Sequence, residues 1–221
     1  MFGAAAVATL TVFRADSEWW EPVVAIVLFA LNVFVLVRTL VASATVCEAG
    51  LRYQTLRGKG EMLWEDVEKF RYSILTTYHQ GFIKTTQYTM ILVDKDGHRA
   101  ELGSNVEQPD ELAALLCNKL QAPLLRKVTA DYDAGKTLDL GAVKLSHQGI
   151  QMSLGLLKAT ILLANVAGCS IDQGTLNIGE WVNGKIKHRA VMLRSVDNAF
   201  ALVELINSKI ARRALGASTG Q

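Results

Sequence analysis

The chain is short of the residues that staple, break or polarise a fold. Three cysteines and three prolines in 221 residues exclude the disulfide scaffold of a small secreted domain. Neither charge sign dominates. The 23 basic and 21 acidic residues leave a net charge of +2, which gives no nucleic-acid-sized basic field. There is no Asn-x-Ser/Thr sequence. His79, His98, His147 and His188 are scattered, without a pair four residues apart and without cysteine at zinc spacing. Cys47, Cys117 and Cys169 fall in apolar or strand-like contexts and read as small core residues. No catalytic residue, metal ligand or cofactor site is therefore expected.

What the chain has in excess is apolar sequence at one end. Half of all residues are hydrophobic and the mean hydropathy is +0.22, too apolar for a disordered chain. About 32 of the first 46 residues are hydrophobic, while the remainder has ordinary globular composition. Residues 23–42 read VVAIVLFALNVFVLVRTLVA, and twenty helical residues reach roughly 30 Å, the thickness of a bilayer's hydrocarbon core. Trp19 and Trp20 stand where an aromatic belt belongs. These features predict a membrane span over about 23–42. Arg38 lies near its C-terminal end and Arg52, Arg57 and Lys59 follow it, so the positive-inside rule places the body on the cytoplasmic side. Residues 1–13 are apolar but short of a span. They are either the end of a first membrane helix, giving a hairpin, or an interfacial segment.

Beyond residue 43 the pattern alternates as strands do. Leu51, Tyr53 and Thr55 alternate with Arg52 and Gln54, and Phe70, Tyr72 and Ile74 with Lys69, Arg71 and Ser73. Asp94-Lys-Asp-Gly97 marks a hairpin turn. Pro109-Asp-Glu opens a helix with the stripe Leu112, Leu115, Leu116 and Leu120. The pattern then repeats. Gly50-Leu51-x-Tyr53 is matched by Gly149-Ile150-x-Met152, and Leu63–Val67 by Leu162–Val166, both 99 residues on. Asp110–Leu116 aligns with Asp197–Val203 at an offset of 87, so the second copy lacks about twelve residues, placed in the hairpin around Thr76–Thr86. A second helical stripe runs through Ala199, Leu202, Val203, Ile206 and Ile210. Gly50 and Gly149 are expected to supply positive φ at tight connections, Asp66 and Asn165 to bond nearby amides, and Trp64 to bury a large surface.

This order of apolar segment, Glu-x-Gly-Leu-x-Tyr, Leu-Trp-x-Asp-Val, hairpins, Asp-Gly turn and helix resembles bacterial pleckstrin-homology-like (PH-like) membrane proteins. More narrowly, it is similar to an uncharacterised family with two such domains behind an N-terminal membrane segment, whose second copy begins with a phrase like Ala134-Gly-Lys-Thr-Leu-Asp-Leu-Gly141. Leu163 stands where a second tryptophan would be expected. The resemblance implies an α+β, mainly β fold: two tandem PH-like domains, each a bent antiparallel sheet capped by a C-terminal helix, after an N-terminal transmembrane helix or hairpin. The corresponding boundaries are an anchor at 1–43, domains at 44–127 and 137–214, a linker at 128–136 and a flexible tail at 215–221. The resemblance carries no catalytic activity.

Ala130–Thr137 matches the permissive spelling of a phosphate-binding loop. The motif needs a strand before it and a helix after it, and here the order is reversed, so it reads as linker. Lys59 in one turn, and Lys185, Lys187 and Arg189 in another, are candidate contacts for anionic lipid or a partner. The expected function is a non-enzymatic, membrane-anchored interaction or scaffold module. Its partners would be the bilayer, through the span, and a protein, with no nucleic acid; a homo-oligomer is compatible with the same features. Two alternatives remain: headgroup binding by the body, and a hydrolase or transferase using an interdomain groove.

Overall fold

The computed structural model describes residues 20–41, 43–55, 58–79, 83–155 and 157–218, and in the first of these stretches the side chains of Trp20 and residues 22–34. Among them the fold is mostly β, with thirteen strands and three α-helices. Helix α1 (Trp20–Val41) leads into strands β1 (Ser43–Val46), β2 (Gly50–Thr55) and β3 (Gly58–Leu63), which form one antiparallel sheet. Strands β4 (Val67–His79), β5 (Ile83–Asp94) and β6 (Arg99–Gly103) form a second, and α2 (Pro109–Asp133) closes the first half. The second half has β7 (Leu138–Leu140), β8 (Val143–Leu145), β9 (Gly149–Leu154) and β10 (Leu157–Leu162) in a four-stranded sheet ordered β10-β9-β8-β7. Strands β11 (Val166–Asp172), β12 (Thr175–Val182) and β13 (Lys185–Met192) then form another, and α3 (Ala199–Ser218) follows.

This architecture corrects the expected fold class in two respects. Each half carries two small sheets, not one bent sheet, because the chain between them leaves the ladder. The Leu63–Asp66 turn separates β3 from β4, and a 3₁₀ turn at Leu163–Asn165 separates β10 from β11. The expected transmembrane segment is not found: among the described residues no helix is long and apolar enough to cross a membrane. The expected first helix at residues 1–13 lies outside the described residues.

The two halves share their backbone geometry at the offset of 99. Cys47 N donates to Gly50 O and Ser146 N to Gly149 O; Trp64 N donates to Ala49 O and Leu163 N to Gln148 O. Register shifts fall at Val67/Lys69 and again at Val166/Gly168. Gly50 and Gly149 do not take positive φ. They are glycine because a Cβ would stand 2.4 Å from the carbonyl oxygen of Met62 or Ile161, on the paired strand. The offset drops to 86 where Asp94 and Glu180 pair with Val67 and Val166. At the helices it is 90: Leu112 N bonds Gln108 O, and Leu202 N bonds Asn198 O. The second copy therefore lost more from its first hairpin than expected and regained residues in the next.

The buried residues of both halves form one continuous core. On α2 the buried positions are Leu112, Ala113, Leu116, Leu120, Leu124, Val128 and Tyr132, whereas Leu115 is 46% exposed. A side chain such as Leu116 or Leu120, both fully buried, contributes about 1.5–3 kcal/mol. The expected linker at 128–136 is, as far as Asp133, the last turns of this helix, where Val128 and Tyr132 enter the core. Likewise α3 runs to Ser218, through the start of the expected tail. Trp64 is buried as expected, with its Nε1–H donating to Glu48 O at 3.0 Å. Asp66 instead accepts from Lys95 Nζ at 2.8 Å.

Candidate functional site

The halves meet where residues 195–198 lie against the free edge of β4. Asn198 has a left-handed backbone, φ 52, and its side chain serves the other half instead of capping its own helix. Phe70 N donates to Asn198 Oδ1 at 2.7 Å, Asn198 Nδ2 donates to Glu68 O at 2.8 Å, and Asn198 N donates to Phe70 O at 2.8 Å. Next to it the buried Asp197 carboxylate accepts from Arg71 Nε at 2.9 Å and Nη2 at 2.8 Å. Asparagine suits this position because it tolerates the left-handed region and offers both a donor and an acceptor.

A cleft of about 220 Å³ opens beside this junction, with Lys69, Lys127, Lys136, Asp131, Asp139 and Asp197 in its lining. Each of its three aspartates is paired with a base. Lys136 pairs with Asp131 at 2.6 Å, Asp139 with Lys144 at 2.7 Å, and Lys127 Nζ donates to Val67 O at 3.1 Å. The Lys144 ammonium holds the Asp139 carboxyl below the usual range. Such a carboxylate stays ionised near neutrality, which suits an ion pair better than proton transfer. Ala130–Thr137 borders this cleft as a helix C-terminus. α2 ends at Asp133, Gly135 turns the chain at φ 80, and a strand follows. That is the reverse of the geometry that cradles phosphate.

The candidate basic residues lie in different sheets. Lys59 is exposed on β3, opposite Gln54, while Lys185 and Lys187 are exposed on β13. Arg189 separates from them in role, because its guanidinium pairs with the buried Glu180 at 2.8 Å. On the adjoining hairpin Trp181 is 50% exposed and Ile186 46%, directly opposite each other across β12 and β13. The sequence reading missed both, although Trp-x-x-Gly-Lys-Ile places two large apolar residues around a two-residue turn. Behind them lies a depression of about 250 Å³ that includes Gly168, Gly179 and His188.

One carboxylate–imidazole trio has donor atoms within 4.8 Å of one another: Asp94, Asp96 and His98. Asp94 is fully engaged in shaping the β5–β6 turn. Its Oδ1 accepts from Asp96 N at 2.9 Å and His98 N at 2.8 Å, and its Oδ2 meets His98 Nδ1 at 2.9 Å. Burial pulls its pKa upward, but the His98 hydrogen bonds outweigh that and leave it below the usual carboxyl value. Among the cysteines, burial pushes Cys117 up to about 11 and Cys169 up to about 12, far from a reactive thiolate. Cys47 is exposed, not in the core.

At α1 the described side chains are apolar and open. Val23, Val24, Ile26, Val27, Leu28, Phe29, Leu31, Val33 and Phe34 are each 42% exposed or more. At about 100° per residue these positions cover every side of the helix. Asn32, within the run, donates its amide to Leu28 O at 2.7 Å and so satisfies itself inside the helix.

The model of a family of unknown function (DUF6585) matches residues 1–214. No curated protein matches the chain.

Proposed function

The chain belongs to the DUF6585 family, and from that premise we propose that it is a non-enzymatic, membrane-associated binding module whose folded body docks a partner. The observation that carries this reading is α1. Its nine open apolar side chains together exceed the few hundred Å² of contiguous apolar surface that a monomer usually leaves in water. Two further observations support a binding role over a catalytic one: each of the three aspartates of the interhalf cleft is held in an ion pair, and burial raises two of the three thiols. Lys59, Lys185 and Lys187 favour the anionic cytoplasmic leaflet.

Flotation of the full chain with phosphatidylcholine vesicles tests the reading. The protein should rise with the vesicles, and Val27→Asp with Phe29→Asp should leave it at the bottom of the gradient. A wild-type chain that stays monomeric in the soluble fraction overturns it.

A further inference from the structure

The β12–β13 hairpin ends in a surface unlike its counterpart in the first half. Trp181, Val182 and Ile186 are 50%, 38% and 46% exposed around an Asn183-Gly184 turn with φ 50 and 75. Trp181 and Ile186 occupy one face; Val182 and Lys185 face each other on the opposite side, with Lys187 one step further back. No acidic residue occurs between Trp181 and Val196, while Lys185, Lys187, Arg189 and Arg194 do. Arg189 is neutralised by Glu180. Lys185 and Lys187 are exposed, and among the described residues neither has an ion-pair partner. The matching β5–β6 turn carries Asp94 and Asp96 and exposes no large apolar side chain. The apolar tip with lysines beside and behind it thus belongs to the second half alone.

We propose that this tip inserts Trp181, Val182 and Ile186 into an anionic lipid surface, with Lys187 at the level of the phosphates and Lys185, beside Val182, extending its stem back to reach them. An indole suits that boundary because one end of its ring system is apolar and the other carries an N–H donor. Lys187 is three residue steps beyond Gly184. At about 3.3 Å each this is roughly 10 Å, close to the 5–10 Å depth at which interfacial segments settle. The positive side chains would then meet phosphate without the tip entering the bilayer's centre. A flat acidic protein would satisfy the lysines but leave the apolar tip against polar surface. The inference deepens the membrane-associated reading, but it makes its own contact and does not require α1.

The test places the full chain with brominated vesicles, either phosphatidylcholine alone or phosphatidylcholine with phosphatidylserine. The Trp181 signal is the difference between the wild type and Trp181→Phe. Quenching of that signal in the anionic vesicles and its loss in the neutral ones is expected. Lys185→Gln with Lys187→Gln should weaken tip docking about 30-fold, from the contribution of each basic residue near an anionic surface. Flotation with unquenched Trp181 overturns the hairpin inference and leaves the α1 reading standing. Flotation with anionic vesicles only, Trp181 quenched, does the reverse. Flotation with neither overturns both, and equal quenching in both lipids removes the anionic requirement and with it the proposal. Retained circular dichroism in each variant confirms that folding is intact.

Discussion

Asn198 is where the junction between the halves is most exposed to perturbation. Replacing it with alanine removes the acceptor for Phe70 N, a buried group on the free edge of β4, and the donor to Glu68 O. An orphaned buried amide costs about 1–3 kcal/mol and a lost, partly buried hydrogen bond about 0.5–1.5 kcal/mol. Alanine must also hold φ near 52, which costs about 1 kcal/mol or more beyond asparagine. Asn198→Ala should therefore lose about 3–5 kcal/mol. Asn198→Gly suffers the same hydrogen-bond losses without the left-handed strain. Its freer unfolded chain offsets part of that advantage, so it should be about 0.5–1 kcal/mol better than alanine. Asn198→Asp keeps the acceptor but sets a carboxylate against Glu68 O, and should fall between wild type and alanine. Urea unfolding followed by circular dichroism measures all three, the midpoint and slope giving the free energies. An alanine variant within about 1 kcal/mol of wild type would refute the claim that Phe70 depends on this side chain. A glycine variant less stable than alanine would refute the strain.

Two further outcomes follow from the geometry. Gly149→Ala puts a Cβ 2.4 Å from Ile161 O, whereas Gly168→Ala meets nothing within 4 Å. The first should destabilise by about 1–3 kcal/mol through overpacking and the second stay within about 1 kcal/mol of wild type, both read by thermal melting; equal effects would remove the close-approach explanation. Asp94 is held below its ordinary value of 3.8, so its contribution is complete above that pH and disappears as pH falls through the folded value. Asp94→Asn should flatten that part of the acid unfolding curve while leaving the slope above pH 5 unchanged, and an unaltered acid limb would show that the His98 contact does not stabilise the fold.

Strands β2 and β4, the turn after β5 and the helices α2 and α3 were legible because alternation and helical stripes are local. Gly50 and Gly149 were correctly singled out, but for the wrong reason: a sequence shows glycine without showing whether φ or a neighbouring carbonyl demands it. The helix alignment slipped by three residues, from the structural offset of 90 to 87, because three residues is nearly one helical turn and preserves much of an apolar stripe. Arg189 looked like one more free cation because its partner depends on strand register. The role of Asn198 was invisible for a stronger reason: its partners Glu68 and Phe70 lie 130 and 128 residues earlier. At α1 the apolar composition and the helix were both legible, but among the described residues the expected membrane span is not found.

That separation also has a consequence in time. A chain elongating at about 5–20 residues per second needs roughly 6–26 s to add the 128 residues between Phe70 and Asn198. For most of that interval β4, thirteen residues long, has β5 to pair with but still lacks the segment that covers its outer margin. The nascent first half is therefore a waiting template, and whatever reaches that margin first, the chain's own later residues or another molecule's strand, determines whether synthesis ends in one folded protein or in a mispaired one.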